Sequence, residues 1–266
     1  MVLMAFLFPS MSFGYVKFMC ARQKSRYDAS PPSWGLPTFL MHTRAVAGMK
    51  TVFPAGNDSN AIRTAVAGGV AALCIVFVSI LIITTYTRYL PPDFQQGFLI
   101  GRDSYFFRTP YGLGFYSHIL TSPIALICGT IQFSASIRRR AAGIHRLTGR
   151  VYVICVLMFA VPGGFIMAFG TRGGIASFAC FLTMSVSTWF FTWQAWRTAK
   201  RREFAAHQKW MWRSYLMIVS AIILRIIDPA MRQAGVPDLL SYQTCVWLSW
   251  VPSLGLFEIL NRRNRS

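Results

Sequence analysis

The chain has 266 residues, of which 54% are hydrophobic, 15% aromatic and only 13% charged, and its mean hydropathy is +0.44. Soluble domains carry about 25% charged residues, so this composition excludes an ordinary water-soluble protein. The 27 Lys and Arg residues outnumber the 8 Asp and Glu residues, for a formal charge of +19. Because these cations cluster beside apolar runs and no nucleic-acid-binding motif is present, we expect anionic lipid headgroups rather than nucleic acid as their partner.

The N-terminal residues 1–63 are predicted to lie outside the main bundle. Residues 1–19 are apolar and aromatic and are followed by three basic residues, a pattern typical of a signal-like anchor, a targeting segment or one further weak helix. Residues 30–60 are rich in Pro, Gly, Ser and Thr, which predicts a linker or disorder.

Six apolar runs follow, each long enough to cross a bilayer, which takes about 20 residues at about 1.5 Å per residue. The predicted spans are 64–87, 111–135, 150–170, 175–196, 210–231 and 241–260. A backbone in hydrocarbon must satisfy its own hydrogen bonds, and helices do so. The predicted fold is therefore an all-α, polytopic transmembrane helical bundle over residues 64–260.

Glycine and proline predict details of this bundle. The sequence Gly-Thr-Arg-Gly-Gly at 170–174 predicts a tight turn, so the third and fourth spans should be antiparallel neighbours. Pro123, Pro162 and Pro252 lie inside predicted spans, where each removes a backbone hydrogen bond and bends the axis. The two glycines after Pro162 would allow a neighbouring helix to approach closely.

The connecting segments predict the orientation. Residues 138–150, residues 197–209 and the tail 261–266 are strongly basic, and six crossings place all three on one side. The positive-inside rule makes that side cytoplasmic, together with both termini, and the weaker positive bias of residues 88–110 suits the outer side. Tryptophans near the inner ends of the fourth and fifth spans are typical of an interfacial aromatic belt. They are Trp189, Trp193, Trp196, Trp210 and Trp212.

The six cysteines show no metal-ligand spacing such as CxxC. Five of them lie in five different predicted spans, where a small apolar residue buried in a helix is the expected role. No disulfide framework and no metal site are predicted.

Ionisable side chains inside a bilayer are costly and indicate function by default. His118 lies about two turns into the second span, and Arg225 and Asp228 lie near the outer end of the fifth span at a similar depth. Arg225 and Asp228 are three residues apart and can share a helix face. These three residues are a candidate polar intramembrane site, and the alternative is an arginine that reaches the outer headgroups beside a local counter-ion.

A second candidate site lies at the cytoplasmic face. His145 and His207 lead into the third and fifth spans from the same side, so we expect the two imidazoles at one level. Two histidines on neighbouring helices could ligate a haem-b iron. The alternative is an interfacial pair that contacts lipid phosphate or loop carbonyls alongside Arg146 and Lys209. Arg150 is a further supporting residue at this face.

Arg213 and Glu258 lie near the inner ends of the fifth and sixth spans and could support this face by pairing. The alternative partner of Glu258 is Arg262, four residues later. The zinc-protease, phosphate-loop, nucleophile-elbow and dinucleotide motifs are all missing, so the sequence does not predict an enzyme.

Several separated motifs occur in an order that resembles the predicted-membrane-protein family known as domain of unknown function 2306. They are His118 with Gly129 and Gln132, HRxxGR at 145–150 followed by Val-Tyr-Val, His207 with Trp210, Arg-Ser-Tyr at 213–215, and Arg225. The resemblance covers residues 111–231 and implies a small multi-pass membrane protein without an assigned activity.

A remoter similarity is to haem-b membrane cytochromes of the ascorbate-reducible and ferric-reductase-like kinds, which use inward histidines near helix ends. A two-haem pattern needs four such histidines, and this chain offers His118, His145 and His207. The similarity therefore implies at most one haem with two histidine ligands.

Three functions remain open at this point. The first is a multi-pass membrane protein whose polar site binds lipid or a small solute, with self-association into a homo-oligomer left open. The second is a haem-b electron carrier. The third is a proton or cation pathway through His118, Arg225, Asp228 and Glu258, for which the acids are few and close to the span ends.

Overall fold

The computed structural model describes residues 97–263 and, before them, residues 66, 69, 72–73, 75–80, 83–84 and 89–95. The chain divides into two compact units, residues 1–72 and 73–266, and the site lies in the second. The predictions for residues 1–63 lie outside the described residues. Those described between 66 and 84 are all helical, as the first predicted span requires.

The described part of the chain is all-helical, without strands. A 3₁₀ turn at Gly97–Leu99 comes before the first α-helix. The helices are α1 (Asp103–Phe106), α2 (Tyr111–Gln132), α3 (Ala135–Arg140), α4 (Ala142–Ile154), α5 (Val161–Ala168), α6 (Gly174–Lys200), α7 (Phe204–Gln233), α8 (Asp238–Leu248) and α9 (Val251–Arg263). A π-helical segment, Cys155–Ala160, joins α4 to α5 without a break.

Four helical segments of the described residues are long and apolar enough to cross a membrane. They are Tyr111–Gln132, Ala142–Ala168, Gly174–Lys200 and Phe204–Gln233. These segments confirm the all-α fold and match the second to fifth predicted spans. The segment Ala142–Ala168, which matches the third predicted span, begins eight residues earlier than predicted, so His145 and Arg146 lie on the helix rather than in the preceding connection.

The sixth predicted span, 241–260, is divided into α8 and α9. In a continuous helix the carbonyl of Leu248 would accept the amide proton of residue 252, and Pro252 has none. The backbone turns at Ser249 and Trp250. Pro252 is therefore the second residue of α9, where a proline is tolerated, and does not lie in the middle of a long helix. Each piece is too short to cross hydrocarbon alone.

The spans pack as a bundle. Helix α2 contacts α4, the π-helical segment and α5, while α6 contacts α5 and packs most extensively against α7. The turn between α5 and α6 contains Gly173 at φ 95°, a left-handed conformation that favours glycine, so these helices are the antiparallel neighbours that were predicted. Helix α8 packs against α6 and α7, and α9 packs against α7.

A buried arginine holds the segment before α2 in place. Arg102 is only 3% exposed; its Nε donates to the Tyr111 hydroxyl and its Nη2 to the carbonyl of Gly170, both at 2.8 Å. Its Nη1 donates to the carbonyls of Phe98 and Ile100. The guanidinium thus binds backbone carbonyls just beyond the 3₁₀ turn and α5, where a cation is favourable.

Candidate functional site

His118 lies where α2 crosses the bulged part of the third span. Its Nδ1–H donates to the carbonyl of Ala160 at 2.6 Å, and the hydroxyl of Ser117 donates to Phe159 at 3.0 Å. These are the last two residues of the π-helical segment, just before Pro162, where the backbone bonding pattern is shifted. Two side chains of α2 therefore satisfy carbonyls that the bulge redirects.

The close approach of α2 depends on Gly163, as predicted for the glycines after Pro162. A Cβ at Gly163 would come within 2.8 Å of the His118 amide nitrogen, and one at Gly164 within 3.0 Å of His118 Nδ1. Side chains larger than hydrogen would force α2 away. The hydrogen bond from His118 is thus tied to this glycine pair.

The three residues of the predicted intramembrane site have different contacts. Arg225 lies within electrostatic range of His118 and donates Nη1 to the carbonyl of Ala221 at 2.9 Å. The carboxylate of Asp228 forms an ion pair with Arg232 and accepts the Ser241 hydroxyl at 2.9 Å. Asp228 therefore joins α7 to α8.

The two histidines of the predicted cytoplasmic-face site occupy matching positions on their helices. His145 is in the first turn of α4, His207 is in the first turn of α7, and His207 lies within electrostatic range of His145. The Nδ1–H of His207 donates to the carbonyl of Ala195 on α6 at 2.8 Å. Nδ1 of His145 is buried and has no hydrogen-bond partner among the described residues.

Gln132 positions the first turn of α4. It is buried at the end of α2, and its Nε2 donates to the carbonyl of His145 at 3.0 Å and to the hydroxyl of Thr148 at 2.6 Å. A Cβ at Gly149 would meet Gln132 Oε1 at 3.0 Å, so glycine favours this close approach. The contacts account for the threonine and the glycine of this segment, whereas the bond to residue 145 uses only its backbone carbonyl.

Arg213 and Glu258 form a two-point ion pair at the same end of the bundle. Nε of Arg213 lies 2.6 Å from Oε1 of Glu258, and Nη2 lies 3.0 Å from Oε2. The guanidinium also lies over the rings of Trp210 and Phe257. The pair joins α7 to α9, and Arg213 rather than Arg262 is thus the partner of Glu258.

The predicted aromatic belt is divided between two environments. Trp189, Trp193 and Trp196 form a ladder along α6, with ring centroids 5.6 and 5.0 Å apart. Trp212 is instead buried, and its ring centroid lies 4.2 Å from that of Phe133. It belongs to the core of the bundle, because α7 turns this face towards the end of α2.

A cluster of buried hydroxyl groups, which the sequence did not predict, lies about two helical turns further into the bundle than His145 and His207. The hydroxyls of Tyr152 and Ser214 are 2.6 Å apart, and those of Ser214 and Thr192 are 2.7 Å apart. Beside them, the hydroxyls of Thr130 and Tyr215 are 2.5 Å apart. The cluster draws on four spans, and all its members except Thr130 are at most 1% exposed.

Each hydroxyl has one proton, which determines the direction of the longer chain. Thr192 also donates to the carbonyl of Thr188 at 2.7 Å, so it must accept from Ser214, which in turn accepts from Tyr152. The chain ends on a carbonyl that does not take up a proton. We therefore interpret the cluster as a set of structural hydrogen bonds that join the helices. It gives no support to a proton pathway.

The sequence of the chain matches the model of one protein family. The family model described as "Predicted membrane protein (DUF2306)" matches residues 115–261. The chain belongs to this family. Searches of curated proteins and of solved structures give no match. The family match runs through α9, beyond the 111–231 of the sequence resemblance, and it identifies a membrane protein of unknown function.

Two of the residues that form the hydroxyl cluster of this DUF2306 protein have the same spacing from the two histidines. Tyr152 and Ser214 follow His145 and His207 by seven residues each, so matched pairs recur two turns deeper in the bundle. That equal spacing is a signal in the sequence that could have identified the hydroxyl cluster. Which hydroxyls meet across the spans could be learned only from the packing.

Proposed function

We propose that this DUF2306 protein is a six-span membrane protein, with both termini in the cytosol, that binds a small ligand between the first turns of α4 and α7. The four candidate spans, the helical residues between 66 and 84, and the α8–α9 pair support the topology. The basic connections at 138–150 and 197–209 support the orientation.

One observation supports the ligand site above all others. No hydrogen bond to Nε2 of His145 or of His207 is found within the described residues, and Nδ1 of His145 is buried without a partner there, although His207 lies within electrostatic range of His145. A structural histidine usually has its ring nitrogens satisfied. Two neighbouring imidazoles with unused nitrogens are the arrangement of a binding site.

Native mass spectrometry of the full chain, released from mild detergent, tests this proposal. We expect wild-type protein to carry a co-purifying mass that the His145→Ala, His207→Ala double variant lacks. Lys200→Ala is the matched control, because Lys200 is basic, exposed and near the same end, and its ammonium lies over the Trp196 ring. Identical spectra for wild type and the double variant would contradict the site.

The topology is tested separately by labelling single cysteines. Arg139→Cys and Lys200→Cys should both react with a membrane-impermeant maleimide only when the cytoplasmic side is open. Reaction of the two positions from opposite sides would contradict six crossings.

Haem b is a second candidate ligand for the same pair. Histidines that ligate a metal commonly donate their other ring N–H to a carbonyl, as His207 does to Ala195. His145 fits less well, because its Nδ1 has no such acceptor among the described residues. His145 and His207 would hold the iron, and the haem would supply one-electron chemistry when bound.

An absorbance spectrum of the purified protein distinguishes this candidate. A Soret band that disappears in the His145→Ala, His207→Ala variant would favour the haem. A colourless protein that gives no band with added haem would exclude it.

A further inference from the structure

An apolar groove runs between α5 and α6, beside the point where the π-helical segment ends and α5 begins. It has a volume of about 220 Å³ and is lined by Val161, Pro162, Phe165, Ser185, Val186 and Trp189. Phe165, Val186 and Trp189 are 38–58% exposed, so the groove is open on the outside of the two spans. Because both helices belong to candidate membrane spans, that side faces hydrocarbon.

The two ends of the groove differ. Near the turn between α5 and α6, the ring of Phe165 packs against Phe169 and that of Phe169 against Phe178, with centroids 5.6 and 5.3 Å apart. At the opposite end Trp189 stacks on Trp193, the first step of the tryptophan ladder along α6. A chain-like molecule in the groove would therefore continue along this ladder.

The ladder leads from the groove to a cation. Residues 186, 189, 193, 196 and 200 are three or four positions apart, so they share one face of α6. Nζ of Lys200 lies 4.7 Å from the centroid of the Trp196 ring. Trp189 and Lys200 are about 16 Å apart along the helix axis, and half of the hydrocarbon core is about 15 Å thick. An acyl chain whose phosphate lies beside Lys200 therefore reaches the groove.

Charge distinguishes between the possible occupants. Exposed cations outnumber Glu203 at this end of α6, and the ion pairs found among the described residues involve none of them: Arg197, Lys200, Arg201 and Arg202. A second copy of the chain in the same membrane orientation would bring an identical excess of positive charge and be repelled. An anionic headgroup would instead be attracted.

We propose that an anionic phospholipid binds to this face of α6, with an acyl chain in the α5–α6 groove and its phosphate beside Lys200. The tryptophan rings between them are amphipathic and suit the region below the headgroups. The long side chain of Lys200 can donate to phosphate oxygens while its methylene groups remain in the apolar region. This lipid site shares no residue with the proposed site of His145 and His207.

Native mass spectrometry of the delipidated full chain in mild detergent tests the headgroup. The probes are dioleoyl phosphatidylglycerol, which is anionic, and dioleoyl phosphatidylcholine, with Kd measured for the first bound lipid. The wild type should bind phosphatidylglycerol more tightly. Lys200→Ala should weaken phosphatidylglycerol binding about fivefold, the contribution of one cation near a lipid surface, and leave phosphatidylcholine binding unchanged.

Val186→Phe tests the groove. Val186 is exposed, so the added ring fills the groove from its open side without entering the core. Phosphatidylglycerol should bind about threefold or more weakly, because the ring occupies space where the acyl chain makes dispersion contacts. Ile175→Phe is the matched control, because Ile175 is 86% exposed on the same helix outside the groove, and Kd should change less than about twofold.

Chain length gives a second control. Dioctanoyl phosphatidylglycerol has the same headgroup, but its chains have fewer than half as many carbons and end before the groove. It should therefore bind equally to the wild type and to Val186→Phe, while Lys200→Ala still weakens its binding.

Several outcomes would overturn the lipid site. Equal affinity of the wild type for the two dioleoyl lipids would remove the headgroup, and equal effects of Val186→Phe and Ile175→Phe would remove the groove. A dimer peak that Val186→Phe abolishes would assign the groove to a second copy of the chain. The His145→Ala, His207→Ala variant should bind phosphatidylglycerol as the wild type does, and Lys200→Ala should keep any histidine-dependent mass. Failure of the lipid site is thus distinguishable from failure of the proposed function.

Discussion

The direction of the buried hydroxyl chain predicts an asymmetry between two conservative substitutions. Ser214→Ala removes the acceptor of the Tyr152 hydroxyl, which has no other hydrogen-bond partner among the described residues. A buried donor left without a partner costs about 1–3 kcal/mol. Tyr152→Phe removes the donor itself and leaves Ser214 able to donate to Thr192. That loss should be close to the roughly 0.6 kcal/mol typical of interhelical hydrogen bonds in membranes.

The same argument predicts the double variant. Once Tyr152 is Phe, no donor is left unpaired by Ser214→Ala, so the second substitution should cost less than about 1 kcal/mol. Reversible unfolding in mixed micelles, followed by tryptophan fluorescence, measures the free energy of unfolding of all three variants.

Ser220→Ala is the matched control, because Ser220 is buried on the same helix and its hydroxyl donates at 2.6 Å within that helix to Met217. It should lose less than about 0.5 kcal/mol. If Tyr152→Phe destabilises the protein as much as Ser214→Ala does, the assigned direction of the chain is wrong.

Three further substitutions test other contacts by thermal unfolding in detergent. Gly129→Ala places a Cβ against two buried tyrosine rings, the nearer held by hydrogen bonds, and should cost about 1–3 kcal/mol; unchanged stability would show that the rings can move. Arg102→Met leaves the carbonyl of Gly170 and other buried acceptors unpaired and should cost about 2–4 kcal/mol, with Arg102→Lys restoring part. Glu258→Gln weakens the half-exposed pair with Arg213 and should cost less than about 1 kcal/mol, a loss that 1 M salt should reduce.

Periodicity and hydropathy predicted the helices better than their ends. The runs at 175–196 and 210–231 correspond to α6 and α7, because apolar length is a direct requirement of the bilayer. The start of the third span was predicted too late, since the basic residues around 146–150 lower hydropathy without breaking a helix. The sixth span was predicted as continuous, although Pro252 removes a donor that the preceding turn requires.

The candidate sites were predicted unevenly. His145 and His207 were expected at one level because both begin helices on the same side, and each does lie in the first turn of its helix. Asp228 was grouped with Arg225 by helical spacing, yet Arg232 one turn later and Ser241 on α8 bind its carboxylate. Spacing along one helix does not reveal the competitors that other helices supply.

The amino-acid sequence alone determined that this protein is a membrane protein, that it is helical and that its connecting segments are basic, because these follow from composition and from the order of apolar runs. Only the tertiary structure decided which polar groups meet. The hydroxyl cluster, the role of Gln132 and the unused nitrogens of the histidine pair depend on distances between helices. Those distances are determined by side-chain volumes packed in three dimensions, which no linear pattern specifies.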